Sequence, residues 1–408
     1  MSQKSILILN HYAISPDMPG ITRHYDLGRE LVKNGYSVTI IASGFDHISK
    51  KFIKISRNQL FKLEDLQNVK FIWVRTIPYY GNDWRRILNM ISYAVQSLQV
   101  AKLVDRPDIV IGSSMHPFAV IAGWWLAKKY RARFFFEVRD LWPQTAIDMG
   151  AMKPTSIQAR CLYAWEKFMY KRADKIIVIP PRSVDYIGRY GIDAKKVLWI
   201  PNGVDLDRFD EIDPLICESA ITNEAQYKGK FKVIYAGAHG PANGLDVVLN
   251  AAKIVGSSDI HFFLIGDGPE KKRLIEKVSQ ESLINVTFME PVAKSQIPSL
   301  LRQADLLLHC LKPFDALKYG MSPNKLYDYL ASGKPIIVSA FDPDNIVEKA
   351  HAGIMVEPGN PGALADAVMS IYKMPAEQRD KLGENGRLYV EEYHDIKKIG
   401  KKLAKALG

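Results

Sequence analysis

The chain alternates short apolar runs with longer segments whose apolar positions recur every three to four residues. Uninterrupted runs rich in Val, Ile and Phe predict strands at Ser5–Asn10, Ser37–Ala42, Val69–Arg75, Ile109–Gly112, Phe134–Glu137, Lys175–Ile179 and Val197–Ile200. A second series predicts strands at Lys232–Ala236, His261–Ile265, Val286–Phe288, Leu306–His309 and Pro335–Val338. Amphipathic spacing falls between strands, as at Arg23–Lys33, Gly244–Val255 and Glu270–Gln280. This is the βαβ pattern of parallel, doubly wound sheets, whose strands read as continuous apolar runs because helices cover both faces.

The two series part at Pro201-Asn202-Gly203-Val204-Asp205, a turn-forming cluster followed by a polar, strandless stretch to Gly229. The expectation is an α/β fold of two Rossmann-like domains facing a cleft, over 1–202 and 203–385. The Lys-rich helical pattern Gln378–Leu407 ends the chain, and 386–408 is expected to return to the first domain. A length of 408 residues fits two cores. Ligands in such sheets bind beyond the carboxyl ends of the strands.

Composition narrows the class. Hydrophobic residues make up 47% and charged residues 24%, an ordinary globular balance that argues against disorder. Cys161, Cys217 and Cys310 are far apart and in no metal-ligand spacing, so a reducing cytosol is expected. The opening MSQKSILILNHY has too short an apolar run for a secretory signal. Ile109–Ala127 contains no Asp, Glu, Lys or Arg, but Gly112-Ser113-Ser114 and His116-Pro117 break it, so strand, loop and helix fit better than a membrane span. The net charge of +11 is lopsided: residues 1–200 hold 30 Lys and Arg against 16 Asp and Glu, and residues 201–408 hold 25 against 28. A basic first half implies an anionic partner such as a lipid surface or a polyphosphate. Lys50–Ile55 and Trp84–Tyr93 mix basic, aromatic and aliphatic residues, as an interfacial patch does, although amphipathic core helices look similar.

Candidate chemistry clusters in loops after strands. Gly20 precedes a helix expected from Ile21, where free N–H groups can meet a phosphate; the spacing is not G-x-G-x-x-G, which weighs against NAD or FAD. The segment Gly320–Pro335, GMSPNKLYDYLASGKP, carries more. Ser322 is expected as N-cap and Pro323 at the first helical position, leaving the N–H groups of Asn324 and Lys325 to face an anion. Lys325 adds a charge there, and Asp328, one turn on, can accept from two vicinal hydroxyls of a ribose. A capped helix with a solvated Asp is the plainer alternative. Asp342-Pro343-Asp344 has Asp-x-Asp spacing, but its proline suggests a surface turn, so no metal site is expected.

These motifs resemble glycosyltransferase family 4, of the two-lobed GT-B type. The resemblance runs through the Gly20 loop, GSSMHP (112–117), EVRDLWP (137–143), IPNGVD (200–205), YAGAHGPANG (235–244), IGDGPE (265–270) and SPNKLYDYLASGKP. EVRDLWP and SPNKLYDYLASGKP look like the subgroup of amino-fucose (L-FucNAc) transferases of O-antigen and capsule synthesis. The resemblance implies a retaining, metal-independent transferase without cofactor, moving an N-acetylated amino or deoxyamino sugar from a UDP-sugar to a polyprenyl-diphosphate-linked acceptor, peripheral on the inner face of the cell membrane and without nucleic acid. It implies catalytic roles for His116 and Lys325. Nucleotide contacts fall to Gly20, Gly237, His239, Gly266, Ser322, Asn324, Lys325 and Asp328, and sugar or acceptor contacts to Glu137, Arg139, Asp140 and Asp315. The family's Glu-x7-Glu pair is altered: Asp328 stands at the second position and Gly320 at the first. The family's Arg and Lys after the first strand of the second lobe are replaced near Ala238, His239 and Asn243. Two rival readings remain: a UDP-sugar epimerase or hydrolase of the same fold, and a catalytically weak, membrane-associated assembly subunit.

Overall fold

The computed structural model describes residues 3–56, 58–81, 83–114, 116–211 and 225–408. The chain forms two compact units, Met1–Pro16 with Ile21–Pro201 and Ile396–Gly408, and Asp17–Gly20 with Asn202–Asp395. Cys217 and most of the polar stretch after Asp205 lie outside the described residues.

Unit 1 is built on β1 (Ser5–Leu9), α1 (Arg23–Lys33), β2 (Ser37–Ser43), β3 (Phe61–Leu66), β4 (Val69–Val74), α2 (Trp84–Val100), β5 (Ile109–Ser113), α3 (Pro117–Tyr130), β6 (Arg133–Val138), α4 (Ile157–Arg172), β7 (Lys175–Val178) and β8 (Val197–Trp199). Its strands lie in the order β3-β4-β2-β1-β5-β6-β7-β8. The charge-free stretch is the strand and helix β5 and α3, and no described helix is long and apolar enough to cross a membrane. All neighbours are parallel except β3 with β4. That hairpin turns on Gln67 and Asn68, with φ of 52° and 67°. Two left-handed residues make the two-residue turn that matches strand twist. β3 was not anticipated: FKLEDL is half-exposed along its length and carries three charges, so it lacks an apolar run.

Unit 2 holds β9 (Phe231–Ala236), α5 (Asp246–Val255), β10 (Ile260–Ile265), α6 (Lys271–Gln280), β11 (Val286–Met289), β12 (Leu306–Cys310), α7 (Asn324–Ala331), β13 (Ile336–Ser339), β14 (Gly353–Val356), α8 (Pro361–Lys373) and α9 (Ala376–Tyr393). Its sheet is parallel throughout, in the order β11-β10-β9-β12-β13-β14. Alternate residues of β9 feed opposite cores: Ile234 joins Phe263, Leu307 and Leu326 on one face, and Val233 and Tyr235 join Leu249, Phe262 and Leu364 on the other. β14 also escaped the sequence reading, being four half-buried residues opened by a glycine. A Cβ at Gly353 would lie 1.7 Å from the carbonyl oxygen of Ile336, so the strand admits no side chain there.

After α9 the chain returns to unit 1 as α10 (Ile396–Leu407), packed on α1. The returning segment starts at Ile396 rather than 386, because residues 386–393 belong to α9. Ile396, Ile399, Leu403 and Leu407 are buried, and Tyr36 donates to the carbonyl of Ala404 over 3.1 Å. Gly400 permits the approach: a Cβ there would sit 2.3 Å from that of Glu30.

Candidate functional site

In unit 1 the carboxyl ends of β1, β2, β5 and β6 gather polar side chains. Glu137, the fifth residue of β6, is 3% exposed and occupies the centre of a closed network. Its Oε1 accepts from Arg23 Nε over 3.1 Å, and its Oε2 from Ser113 Oγ over 2.7 Å and His24 Nε2 over 2.6 Å. Arg23 also donates to the carbonyls of Pro201 and Ile200 over 2.7 and 2.9 Å. Burial alone would raise the Glu137 carboxyl, but His24 and Arg23 outweigh it and hold the pKa well below the carboxylate range. Burial lowers His24 more than the neighbouring Glu137 carboxylate raises it. Glu137 is thus held as an internal anchor, with three donors of unit 1 on its carboxylate. Arg23 and His24, the missed partners, lie more than a hundred positions away in α1. Helix α1 begins at Arg23, two residues later than expected, and the exposed Gly20 precedes it with φ 129°.

His116 caps α3. Its Nδ1 accepts from the Ala119 N–H over 2.9 Å, which places the ring proton on Nε2. That Nε2 is buried without a partner, and burial first, then Arg86, pushes the pKa down to about 3. A neutral hydrogen-bond donor therefore waits there. Arg139 is half-buried, its Nε without a partner, and its N–H donates to Ser114 Oγ over 3.0 Å. Asp140 next to it is exposed.

In unit 2 the loops after β9 and β10 close on the start of α7. Gly237 has φ 154°, and a Cβ there would fall 2.4 Å from Lys325 Nζ, so the missing side chain leaves the space that ammonium occupies. Gly266, φ 144°, would press a Cβ to 1.9 Å from the carbonyl oxygen of Gly237, so its first duty is to let two loops pack. Lys325 Nζ lies 4.0 Å from the centre of the Tyr235 ring and donates to its hydroxyl over 2.8 Å. Burial lowers its pKa to about 7, and no carboxylate pairs with it among the described residues. His239 is fully buried with both ring nitrogens unpartnered; burial, then Lys271 and Lys325, lowers it to about 4. His309 on β12 is likewise buried without a partner for either ring nitrogen.

The start of α7 differs from expectation in one respect. The cap position belongs to Pro323, with extended φ −71° and ψ 129°, and Asn324 is the first helical residue. Ser322 instead shares a 2.6 Å hydrogen bond with Tyr327 Oη and accepts from the Asn202 N–H over 3.3 Å, so its hydroxyl ties the IPNGVD loop to the helix. No side chain caps the helix, which leaves its first N–H groups open. Asp328, 7% exposed, pairs through Oδ2 with Lys294, a partner the sequence did not reveal. Gly320 takes φ 84° and ψ 165°, a left-handed backbone that disfavours a glutamate at that position. Asp315 is exposed on the short turn before it. Asp342 Oδ1 accepts from the Asp344 N–H over 3.0 Å, the turn expected of Asp-Pro-Asp. Among the described residues no group of three or more His, Cys, Asp or Glu is placed to hold a metal ion.

Residues 20–208 match the family described as Glycosyltransferase Family 4, and residues 218–389 match Glycosyl transferases group 1. WcaI of Escherichia coli (strain K12), a putative colanic acid biosynthesis glycosyl transferase, is 25% identical over 65% of this chain and 65% of its own length. WbjE of Pseudomonas aeruginosa, a probable glycosyltransferase, is 22% identical over 68% of this chain and 69% of its own. The chain thus spans about two thirds of the length of these curated relatives. Among solved structures, sucrose-phosphate synthase of Thermosynechococcus elongatus superposes with a TM-score of 0.75 at 18% identity, over 99% of this chain and 98% of that one. HepE of Anabaena, solved in complex with UDP and glucose, does so with a TM-score of 0.71 at 16% identity, over 99% of each chain. The fold is therefore GT-B, and its two halves carry the two matched glycosyltransferase domains.

Proposed function

We propose that the protein transfers a sugar from a UDP-sugar to a lipid-linked acceptor, with retention at the anomeric carbon, in bacterial surface polysaccharide synthesis. The observation that carries this reading is Lys325: a desolvated ammonium in the first turn of an uncapped helix, with no acid beside it among the described residues. A diphosphate supplies the missing charge. The helix dipole adds to the attraction, and both grow in value as charge develops on the departing nucleotide. Asp328 accepts from the ribose through the oxygen that Lys294 leaves. His116 Nε2–H is assigned to the sugar or the departing oxygen, and Arg139 and Asp140 to sugar or acceptor. HepE was solved with UDP and with UDP-glucose, which supports the same donor class here. The curated relative described for colanic acid biosynthesis supports a polysaccharide product, and the amino-fucose donor rests on the sequence resemblance.

The charge duty assigned to Lys325 and the helix end leaves none for a metal, so turnover is expected to persist in EDTA. The exposed Trp84, Ile87, Ile91 and Val95 follow one face of α2 beside Arg85, a surface suited to the anionic inner face of the cell membrane. The test is incubation with UDP-sugars and a lipid-diphosphate sugar acceptor. UDP release dependent on acceptor supports transfer. Release or epimerisation without acceptor moves the reading to a hydrolase or epimerase. A second reading, UDP binding without turnover in an assembly subunit, is favoured by one observation: Gly320 replaces the first carboxylate with a backbone that resists one.

A further inference from the structure

Around His116, unit 1 holds a buried polar cluster that the nucleotide assignment does not use. His11 follows β1 and is 3% exposed, with neither ring nitrogen hydrogen-bonded. Its ring centre lies 4.8 Å from that of His116, 4.8 Å from that of Tyr93 and 4.5 Å from that of Tyr12. The Tyr12 hydroxyl is buried without a partner, and its ring lies 4.9 Å from His47, in the loop after β2. Three cations act on this group: Arg86 on His11 and His116, Lys50 and Arg139 on His47. Burial, the largest cause in each case, lowers all three imidazoles.

Two carboxylates stand nearby. Asp46 spends its oxygens on the Ser49 and Ile48 N–H groups, over 2.7 and 3.4 Å, and lies 3.8 Å from His47. Asp140 is exposed beside Arg139. Glu137 is already matched by Arg23. Native folds rarely bury a donor without an acceptor, and here several converge under positive potential at four strand ends. Arg86, Arg139 and Lys50 outnumber these two carboxylates, so a cation would meet net repulsion in this place and an anion rich in acceptors a surplus of positive charge.

We infer that this cluster binds a phosphate or diphosphate group, with Arg86, Arg139 and Lys50 supplying charge and His11 and Tyr12 supplying neutral hydrogen bonds. The inference rests on the proposed lipid-linked acceptor and gives that acceptor a phosphorylated anchor. A prenyl diphosphate and a free anion share this chemistry.

The test titrates the UDP-saturated protein calorimetrically with inorganic pyrophosphate and with farnesyl diphosphate. Both are expected to bind, more weakly as salt rises. Arg86→Gln and Arg139→Gln should each weaken both ligands by about tenfold or more, the usual cost of a charged hydrogen bond, with UDP affinity and melting temperature unchanged. Lys325→Met should leave pyrophosphate binding at this site intact, which identifies the site even if UDP does not bind. Tighter binding of farnesyl diphosphate than pyrophosphate assigns the site to a lipid-linked ligand; equal binding assigns it to the anion alone. Absence of binding by both ligands, or binding indifferent to Arg86 and Arg139, overturns the inference. Intact UDP binding in that case leaves the donor assignment standing.

Discussion

Two buried charges, one in each unit, are treated in opposite ways. Glu137 is surrounded by Arg23, His24 and Ser113, so its charge is balanced and both its oxygens are hydrogen-bonded. Lys325 has a tyrosine hydroxyl and a ring face and, among the described residues, no acid. The first arrangement is closed and needs nothing from outside; it holds α1 to β6. The second bears a desolvation cost that only an anionic ligand offsets. A buried charge with all its partners is part of the scaffold, and one lacking its counter-charge is a place for a ligand.

The largest expected effect breaks the closed side. Glu137→Ala leaves Arg23 buried and uncompensated, and should destabilise the protein by about 3–5 kcal/mol in urea unfolding. A loss below about 1 kcal/mol would mean that the network contributes no more than a surface pair. On the open side, Lys325→Met should keep or raise stability while weakening UDP by about 2–5 kcal/mol, read by calorimetry. Unchanged UDP affinity would remove the lysine from the site. Asp328→Ala should cost UDP about 1.5–3 kcal/mol with the fold intact. Lys294→Ala sharpens that result: it frees the second carboxylate oxygen and should leave UDP binding equal or tighter, whereas weaker binding would give Lys294 a nucleotide contact of its own.

The smallest effect is in protons. A Lys325 pKa of about 7 means that much of the ligand-free protein carries the neutral amine at pH 8. UDP restores the charged form, so binding at pH 8 should take up a fraction of a proton, measured as a dependence of the binding heat on buffer ionisation enthalpy. The sign for folding is the reverse of a paired lysine. The depressed pKa makes the charged form a cost, full below pH 7 and relieved as pH rises towards the unfolded value of 10.5. The stability gained by Lys325→Met should therefore fade over that window.

The sequence showed the strands that run apolar from end to end, because parallel strands covered on both faces must be written that way. It hid β3 and β14, which are edge strands, one half-exposed and charged, the other four residues long. The β3–β4 turn was equally mute, since Gln67-Asn68 is not the Asn-Gly that announces such hairpins. At the site, the Lys325–Asp328 segment was legible because the spacing along one helix is local. Arg23–Glu137 and Lys294–Asp328 were not, because a pairing across 114 or 34 positions leaves no periodic trace. Ser322 misled for a related reason: its hydroxyl found Tyr327 and Asn202 in preference to the local cap.

Helix α10 has a consequence for the order of events during synthesis. A domain emerging from the ribosome tends to fold as soon as its chain is available. Unit 1 cannot do so completely, since the segment that covers α1 follows the whole of unit 2 in the chain. For the time it takes to translate roughly two hundred residues, at about 5–20 per second, the face of α1 around Glu30 waits uncovered. Once made, Ile396–Leu407 is for a moment a free basic helix, with Lys397, Lys398, Lys401, Lys402 and Lys405 opposite its buried stripe. The nascent protein therefore passes through a stage in which the second unit is whole and the first is not, and that stage is where a chaperone would find its apolar surface.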